Sequence, residues 1–238
     1  LGLPSSSSHA LMGGFAGAAL CHVPRMSILD AAVFTKTIVF IVIAPSLGML
    51  LGSLLYRLVR RVFGSMRPRQ VNRIFRRGQF LSAAMYSLGH GGNDAQKTMG
   101  IITALLIASG VQDASGHPAP YLWVVLACHA AMGLGTLSGG WRIVRTMGMG
   151  ITKLKPVGGF CAETSGAITL ALAIYLGVPV STTHTITGAI VGVGTAERHA
   201  RAVRWGIAGR IVWAWVFTIP AAAALASLSY LLVGFLSG

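Results

Sequence analysis

Three apolar runs dominate the pattern of hydrophobic and polar positions: 37–56 (TIVFIVIAPSLGMLLGSLLY), 121–140 (YLWVVLACHAAMGLGTLSGG) and 206–235 (GIAGRIVWAWVFTIPAAAALASLSYLLVGF). Each reaches the roughly 20 residues that an α-helix needs to cross a bilayer. Two other apolar stretches are interrupted. Residues 79–109 are broken by LGHGGNDAQK, and 156–195 by GVPVSTTH. The pattern predicts an all-α polytopic membrane protein with broken helices.

Composition agrees: 54% of residues are hydrophobic, 10% are charged, and the mean hydropathy is +0.70. A soluble domain carries about 25% charged residues. The net charge of +14 does not point to nucleic acid, because the charges are confined to short connections between apolar segments. That is the positive-inside bias of a membrane protein. Residues 57–78 hold eight arginines and no acid, and are expected as a cytoplasmic loop. The segment 31–56 then runs inward, and the loop VQDASGHPAP, with no Lys or Arg, lies outside. Arg142, Arg145, Lys153 and Lys155 mark the inside again. Arg198, Arg201 and Arg204 flank the interrupted stretch on its other side, so it reads as a re-entrant hairpin, after which the last helix runs outward. Cys21, Cys128 and Cys161 lack ligand spacing and read as small core residues, with no metal site.

The chain repeats itself. Leu1–Ala19 aligns without a gap on Leu176–Gly194, with identity at Leu1/Leu176, Gly2/Gly177, Pro4/Pro179, Ser6/Ser181, His9/His184, Gly13/Gly188 and Gly17/Gly192. At the same offset Pro45 meets Pro220, each expected to kink a long apolar helix. Residues 1–63 therefore read as the tail of a first repeat and 79–238 as a second repeat, joined by the Arg-rich 57–78. Because 78–175 has no partner, the sequence is expected to begin inside its first repeat. The charge pattern points the two copies in opposite directions, the inverted-topology repeat of secondary transporters.

Candidate chemistry lies at the interruptions. Proline followed by Ser/Thr and helix formers is a helix start. Its unpaired N–H groups and positive dipole end attract an anion without a fixed cation. Two such ends facing each other would cradle one small oxyanion, while Gly13, Gly14, Gly17, Gly188, Gly192 and Gly194 allow close helix packing. The blander alternative is that the hydroxyls only cap kinked helices. In YSLGHGGNDAQKTMGII (86–102), the glycines at 89, 91 and 92 are expected to unwind the span. Asn93 and Asp94 would there offer oxygens to Na⁺ or a carboxylate to a proton, and Lys97 would pair with Asp94 across one turn. Glu163 is a proton site or a partner for Lys97 or a histidine. His9 and His184 follow the hydroxyl runs and either hydrogen-bond the tip or touch the anion; His90 borders the break and is placed to titrate near neutral pH. His22, His117, His129 and His199 carry no assignment.

HGGNDAQKTMG together with GVPVSTTHTITGAIVGVG resembles the PiT-type inorganic phosphate transporter family, and GLPSSSSHALMGG resembles its first-repeat counterpart. The resemblance covers essentially the whole chain. It implies an inorganic phosphate permease of the plasma (inner) membrane, working by ion-coupled symport and not an enzyme. Phosphate would be held by Ser6, Ser7, Ser8, Ser181, Thr182 and Thr183, and the coupling ion served by Asn93 and Asp94, with Lys97 and Glu163 as further candidates. Where many members continue Asn-Asp with small residues and another Asn, this chain has Ala95, Gln96 and Lys97. The Lys97 ammonium fills charge space open to Na⁺, which favours H⁺ over Na⁺ as coupling ion; no other cofactor is implied. The expected partners are phosphate and the lipid bilayer, with no nucleic acid, and a homo-oligomer is compatible with this reading. The alternatives are a permease for sulfate or another oxyanion and a passive anion channel.

Overall fold

A computed structural model describes residues 2, 4–116, 118–178, 180–198 and 200–237. Leu1 and Pro179 of the repeat, and His117 and His199, lie outside the described residues. The chain order is α1 (Ser7–His22), α2 (Ala31–Phe63), α3 (Pro68–Ala108), α4 (Leu122–Gly139), α5 (Trp141–Arg145), α6 (Pro156–Tyr175), α7 (Thr182–Arg198) and α8 (Trp205–Ser237). A π-turn, Thr146–Ile151, extends α5, and no strand occurs among the described residues. Helices α2, α4, α6 and α8 are long and apolar enough to cross a membrane. Much of α2, α4 and α8 presents large apolar side chains outward, such as Leu50, Leu126 and Phe217, the surface that lipid would cover. The protein is an all-α, multi-pass membrane protein.

Local chemistry sets the helix starts. The Asp30 carboxylate caps α2, accepting from Ala32 N at 2.8 Å and Val33 N at 3.3 Å. Pro68 and Pro156 open α3 and α6 at the position where a missing N–H costs nothing. The Arg-rich stretch 57–78 is mostly helical: 57–63 close α2, 68–78 open α3, and only 64–67 lie between them.

The expected unwinding at Gly89–Gly92 does not occur, since α3 runs without a break through 86–102. A helical glycine costs about 1 kcal/mol, whereas an unpaired backbone group away from water costs several. Continuity is therefore the cheaper solution. Pro45 and Pro220 likewise sit inside unbroken α2 and α8.

Helices α6 and α7 form an antiparallel hairpin: Gly158 faces Val193 at one end and Gly166 faces Ile186 nearer the turn. Gly177 in that turn has φ +62°, and its repeat mate Gly2 has φ +69°, a backbone that only glycine adopts cheaply. Alongside the hairpin, α3 runs parallel to α6, with Gln79 against Gly159, Tyr86 against Gly166 and Leu170 against Gly89. Its continuation past the end of α6 carries Asn93 and Lys97 to the hairpin turn, beside Ile174, Gly177 and Val178.

The repeat arms pack across repeats. Gly188 and Gly192 of α7 lie on the backbone of Pro45 and Met49 in α2, and Gly13 and Gly17 of α1 lie on Ile219 and Ala223 in α8. Any Cβ at these four glycines would collide with a carbonyl oxygen of the facing helix. By contrast, a Cβ at Gly91 or Gly92 meets nothing within 4 Å. Gly188→Ala should therefore destabilise the protein by about 1–3 kcal/mol or more through overpacking. Gly91→Ala and Gly92→Ala should be neutral or stabilising by about 0.5–1 kcal/mol. Thermal unfolding in detergent separates the two classes, and equal effects would contradict this packing.

Candidate functional site

The two copies of the Pro–hydroxyl–His stretch cap their own helices in the same way. Ser6 caps α1, its Oγ accepting from His9 N at 3.2 Å. Ser181, immediately before α7, accepts from His184 N at 3.4 Å. These are matching positions in the repeat, and both serines are buried. The capping alternative thus holds for Ser6 and Ser181, and the Ser181 hydroxyl also lies 2.9 Å from Thr183 Oγ1, a hydrogen bond within the tip that an incoming anion would have to exchange for its own.

The two tips also meet. Thr183 Oγ1 donates to the Ser5 carbonyl at 3.2 Å, and Ser8 Oγ lies 3.5 Å from the Val180 carbonyl. The His9 and His184 rings touch edge to face with centroids 4.7 Å apart. His184 is fully buried, with the indole of Trp215 against it at 3.7 Å. Trp215 Nε1 in turn donates to the Pro4 carbonyl at 3.3 Å. Neither His184 ring nitrogen meets a partner at hydrogen-bond geometry, although the Ile41 carbonyl faces the ring. Behind the tips, the histidine rings therefore pack against each other and Trp215, and it is their backbone N–H groups, not the rings, that meet the hydroxyls of Ser6 and Ser181.

Helix α3 brings its polar face to the same place. Asp94 receives Lys97 Nζ on Oδ1 at 2.8 Å and Ser7 Oγ on Oδ2 at 3.0 Å, with His90 Nδ1 3.8 Å from Oδ2. Lys97 Nζ also donates to Ser8 Oγ at 2.6 Å. Asn93 is buried, its amide 3.5 Å from the Val180 carbonyl that also faces Ser8. Ser7 is exposed, Thr183 half-buried, and Thr182 buried at the first residue of α7. Two opposed helix N-termini, a ring of hydroxyls and one carboxylate–ammonium pair therefore share a single locus. Such a locus can hold a small oxyanion beside a charge that balances it.

Glu163 is elsewhere. It accepts from Ser82 Oγ at 2.5 Å on the α3–α6 seam. Ser82 precedes Asp94 by 12 residues, roughly 18 Å along the α3 axis. Among the described residues Glu163 pairs with neither Lys97 nor a histidine; its partner is Ser82, a serine without any local mark in the sequence.

Trp215, Tyr86 and the Val180 carbonyl were not legible as site groups. Tyr86 donates its hydroxyl to the Thr182 carbonyl at 3.2 Å. A signal for it did exist: Tyr86, His90, Asp94 and Lys97 recur at helical spacing, and reading 86–102 as one unbroken helix puts them on one face. Trp215 has no comparable signal, because it reaches the tip only through the packing of α1 on α8.

Residues 1–226 match the phosphate transporter family. A "Probable low-affinity inorganic phosphate transporter" of Rhizobium meliloti is 57% identical over 229 residues, covering 96% of this chain and 67% of that one. A protein of the same name from Mycobacterium bovis is 43% identical over the whole chain and 57% of its own length. The chain thus spans about three-fifths to two-thirds of the length of these relatives. "Sodium-dependent phosphate transporter 1" of Pongo abelii is 34% identical over 151 residues, 63% of this chain and 22% of that protein. Among solved structures, one described as the sodium-dependent phosphate transporter shares the fold, with a TM-score of 0.62 at 23% identity over 95% of this chain and 64% of that one. On the match over nearly its full length, this chain belongs to the phosphate transporter family, a family of permeases rather than enzymes.

Proposed function

We propose that the protein moves inorganic phosphate across the cell membrane by proton-coupled symport. The phosphate is held between the N-termini of α1 and α7 by Ser6, Ser7, Ser8, Ser181, Thr182 and Thr183. The observation that carries this reading is the meeting of the two repeated tips, with Thr183 on Ser5 and His9 against His184, directly beside Asp94 and Lys97. An inverted repeat accounts for the reciprocal packing of α1 on α8 and α7 on α2. The names of the similar proteins support phosphate as cargo.

Coupling follows from charge. A phosphate beside Ser7 is also beside the Asp94 carboxylate, and two anions at close range in a low-dielectric site repel strongly. Lys97 offsets one negative charge, and a further proton, carried on phosphate or on Asp94, removes another. Sodium is the second reading, favoured by the sodium-dependent relative. Against it, the Lys97 ammonium already contacts Asp94 Oδ1 and Ser8 Oγ, oxygens a Na⁺ would need.

Labelled phosphate uptake in cells lacking their own phosphate carriers tests the proposal. Uptake through this protein should collapse on adding a protonophore, ignore Na⁺ at fixed pH, and resist a tenfold excess of sulfate. Steep stimulation by Na⁺ would transfer the argument to the second reading, and block by sulfate would make this a general oxyanion permease.

A further inference from the structure

A second basic site lies away from the tips. Arg145 at the end of α5, Arg204 just before α8 and Arg210 in its second turn line one cavity of about 440 Å³, whose wall also includes Gly2, Thr146, Met149 and Ile207. No acid lines it, and among the described residues none of the three arginines is in an ion pair. Elsewhere on the same side, basic groups do find carboxylates, as Lys155 does in Glu197 at 3.0 Å. All three arginines are exposed, and Arg204 also borders the neighbouring cavity that holds Glu197; within this cavity their like charges face no acid, and an anion there would be attracted by all three.

The segments that carry them are tied together. Arg204 N donates to the Ile151 carbonyl at 2.9 Å, which ties the start of α8 to the π-turn that follows Arg145. Ile151, Val203 and Ile211 are buried in one core cluster between these segments. The backbone on both sides of the cavity is therefore fixed, with exposed Arg145 carried on one side and exposed Arg204 and Arg210 on the other. Arginine presents a planar fork that matches phosphate oxygens two at a time, which a lysine cannot do.

We propose that Arg145, Arg204 and Arg210 form a second anion site that takes a phosphate group. Its position gives it a role. Gly2 lines it, and the chain passes from Gly2 through Pro4, whose carbonyl Trp215 holds, to the α1 cap at Ser6. Arg210 precedes Trp215 by five residues, about 7.5 Å along α8. The site is thus a station one short step from the tips, where phosphate waits on entering or leaving them. Only this role rests on the proposed function; the binding itself does not.

The test is equilibrium binding of labelled phosphate to the protein in neutral phosphatidylcholine nanodiscs, with a parallel set containing phosphatidylglycerol. The triple variant R145Q/R204Q/R210Q is compared with R61Q/R69Q/R73Q, which loses equal charge outside the cavity, and with the tip variant S181A/T182A/T183A. The unsubstituted protein should show two binding components. The cavity variant should weaken one of them at least about tenfold, since it removes several charge-assisted bonds, and the charge-matched control should leave both intact. Retained phosphatidylglycerol that is lost only in the cavity variant would support the same site with a lipid headgroup as its phosphate source. If neither phosphate nor lipid binding distinguishes the cavity variant from the charge-matched control, the proposal is overturned. If the cavity variant loses a component while the tip variant loses none, the second site stands and the proposed cargo site at the tips falls.

Discussion

Phosphate uptake should fall to background when Ser181, Thr182 and Thr183 are replaced together by alanine, while the amount of protein in the membrane should change little. A hydrogen bond to a charged group is worth about 1.5–3 kcal/mol, and three lost together weaken phosphate binding by at least roughly two to three orders of magnitude. Ser181 also caps α7, and removing a cap costs only about 0.5–2 kcal/mol of stability. That cost is separable: Ser181→Asp keeps an acceptor for His184 N but places a carboxylate where the anion would lie. It should retain the thermal stability of the unsubstituted protein and abolish uptake. The mirror variant S6A/S7A/S8A should fail as completely, because the two tips are matched in sequence and meet in space. Uptake that survives both triple variants would reduce the repeated stretch to helix capping and ring stacking.

Much of this site is visible in the sequence because it rests on local rules. Helix starts at Ser6 and Ser181 follow from a proline two residues before and a helix-forming run after, with capping as one of the two readings, and the three-residue spacing of Asp94 and Lys97 places them on one face of any helix. The spaced glycines announced close packing, and Gly13, Gly17, Gly188 and Gly192 all lie against a neighbouring backbone. What stayed hidden is long-range. Nothing local says that α1 chooses α8 and α7 chooses α2, so Trp215 is invisible until the helices are assembled. Glu163 illustrates the same limit: its charge points to Lys97 or a histidine, whereas one serine 81 positions away takes that role. The unwound turn at Gly89–Gly92 erred in a different way. Glycine permits unwinding, but it takes a ligand or a water-filled cavity to repay the exposed backbone, and α3 keeps its hydrogen bonds instead.

On the proposed proton coupling, removal of Lys97 should change which ion is coupled rather than only the rate. Its ammonium bridges Asp94 Oδ1 and Ser8 Oγ, with little of either charged side chain exposed. Breaking a buried pair from one side leaves the other charge uncompensated, at a cost of about 3–5 kcal/mol when burial is complete. The partial exposure here puts Lys97→Ala below that range, and uptake should drop on the order of a hundredfold in sodium-free medium. The vacated space is then bounded by the Asp94 carboxylate, by the hydroxyls of Ser7 and Ser8 and, beside them, by Asn93, an oxygen-rich set suited to a hard cation. Added Na⁺ should therefore restore uptake in Lys97→Ala, while leaving the unsubstituted protein unaffected at the same pH. Replacing Asp94 as well, in D94N/K97A, should remove this rescue, because the cation loses its only formal counter-charge among these groups. A Lys97→Ala protein that stays inactive at every Na⁺ concentration, or an unsubstituted protein that already responds to Na⁺, would show that the ammonium is not standing in a cation's place.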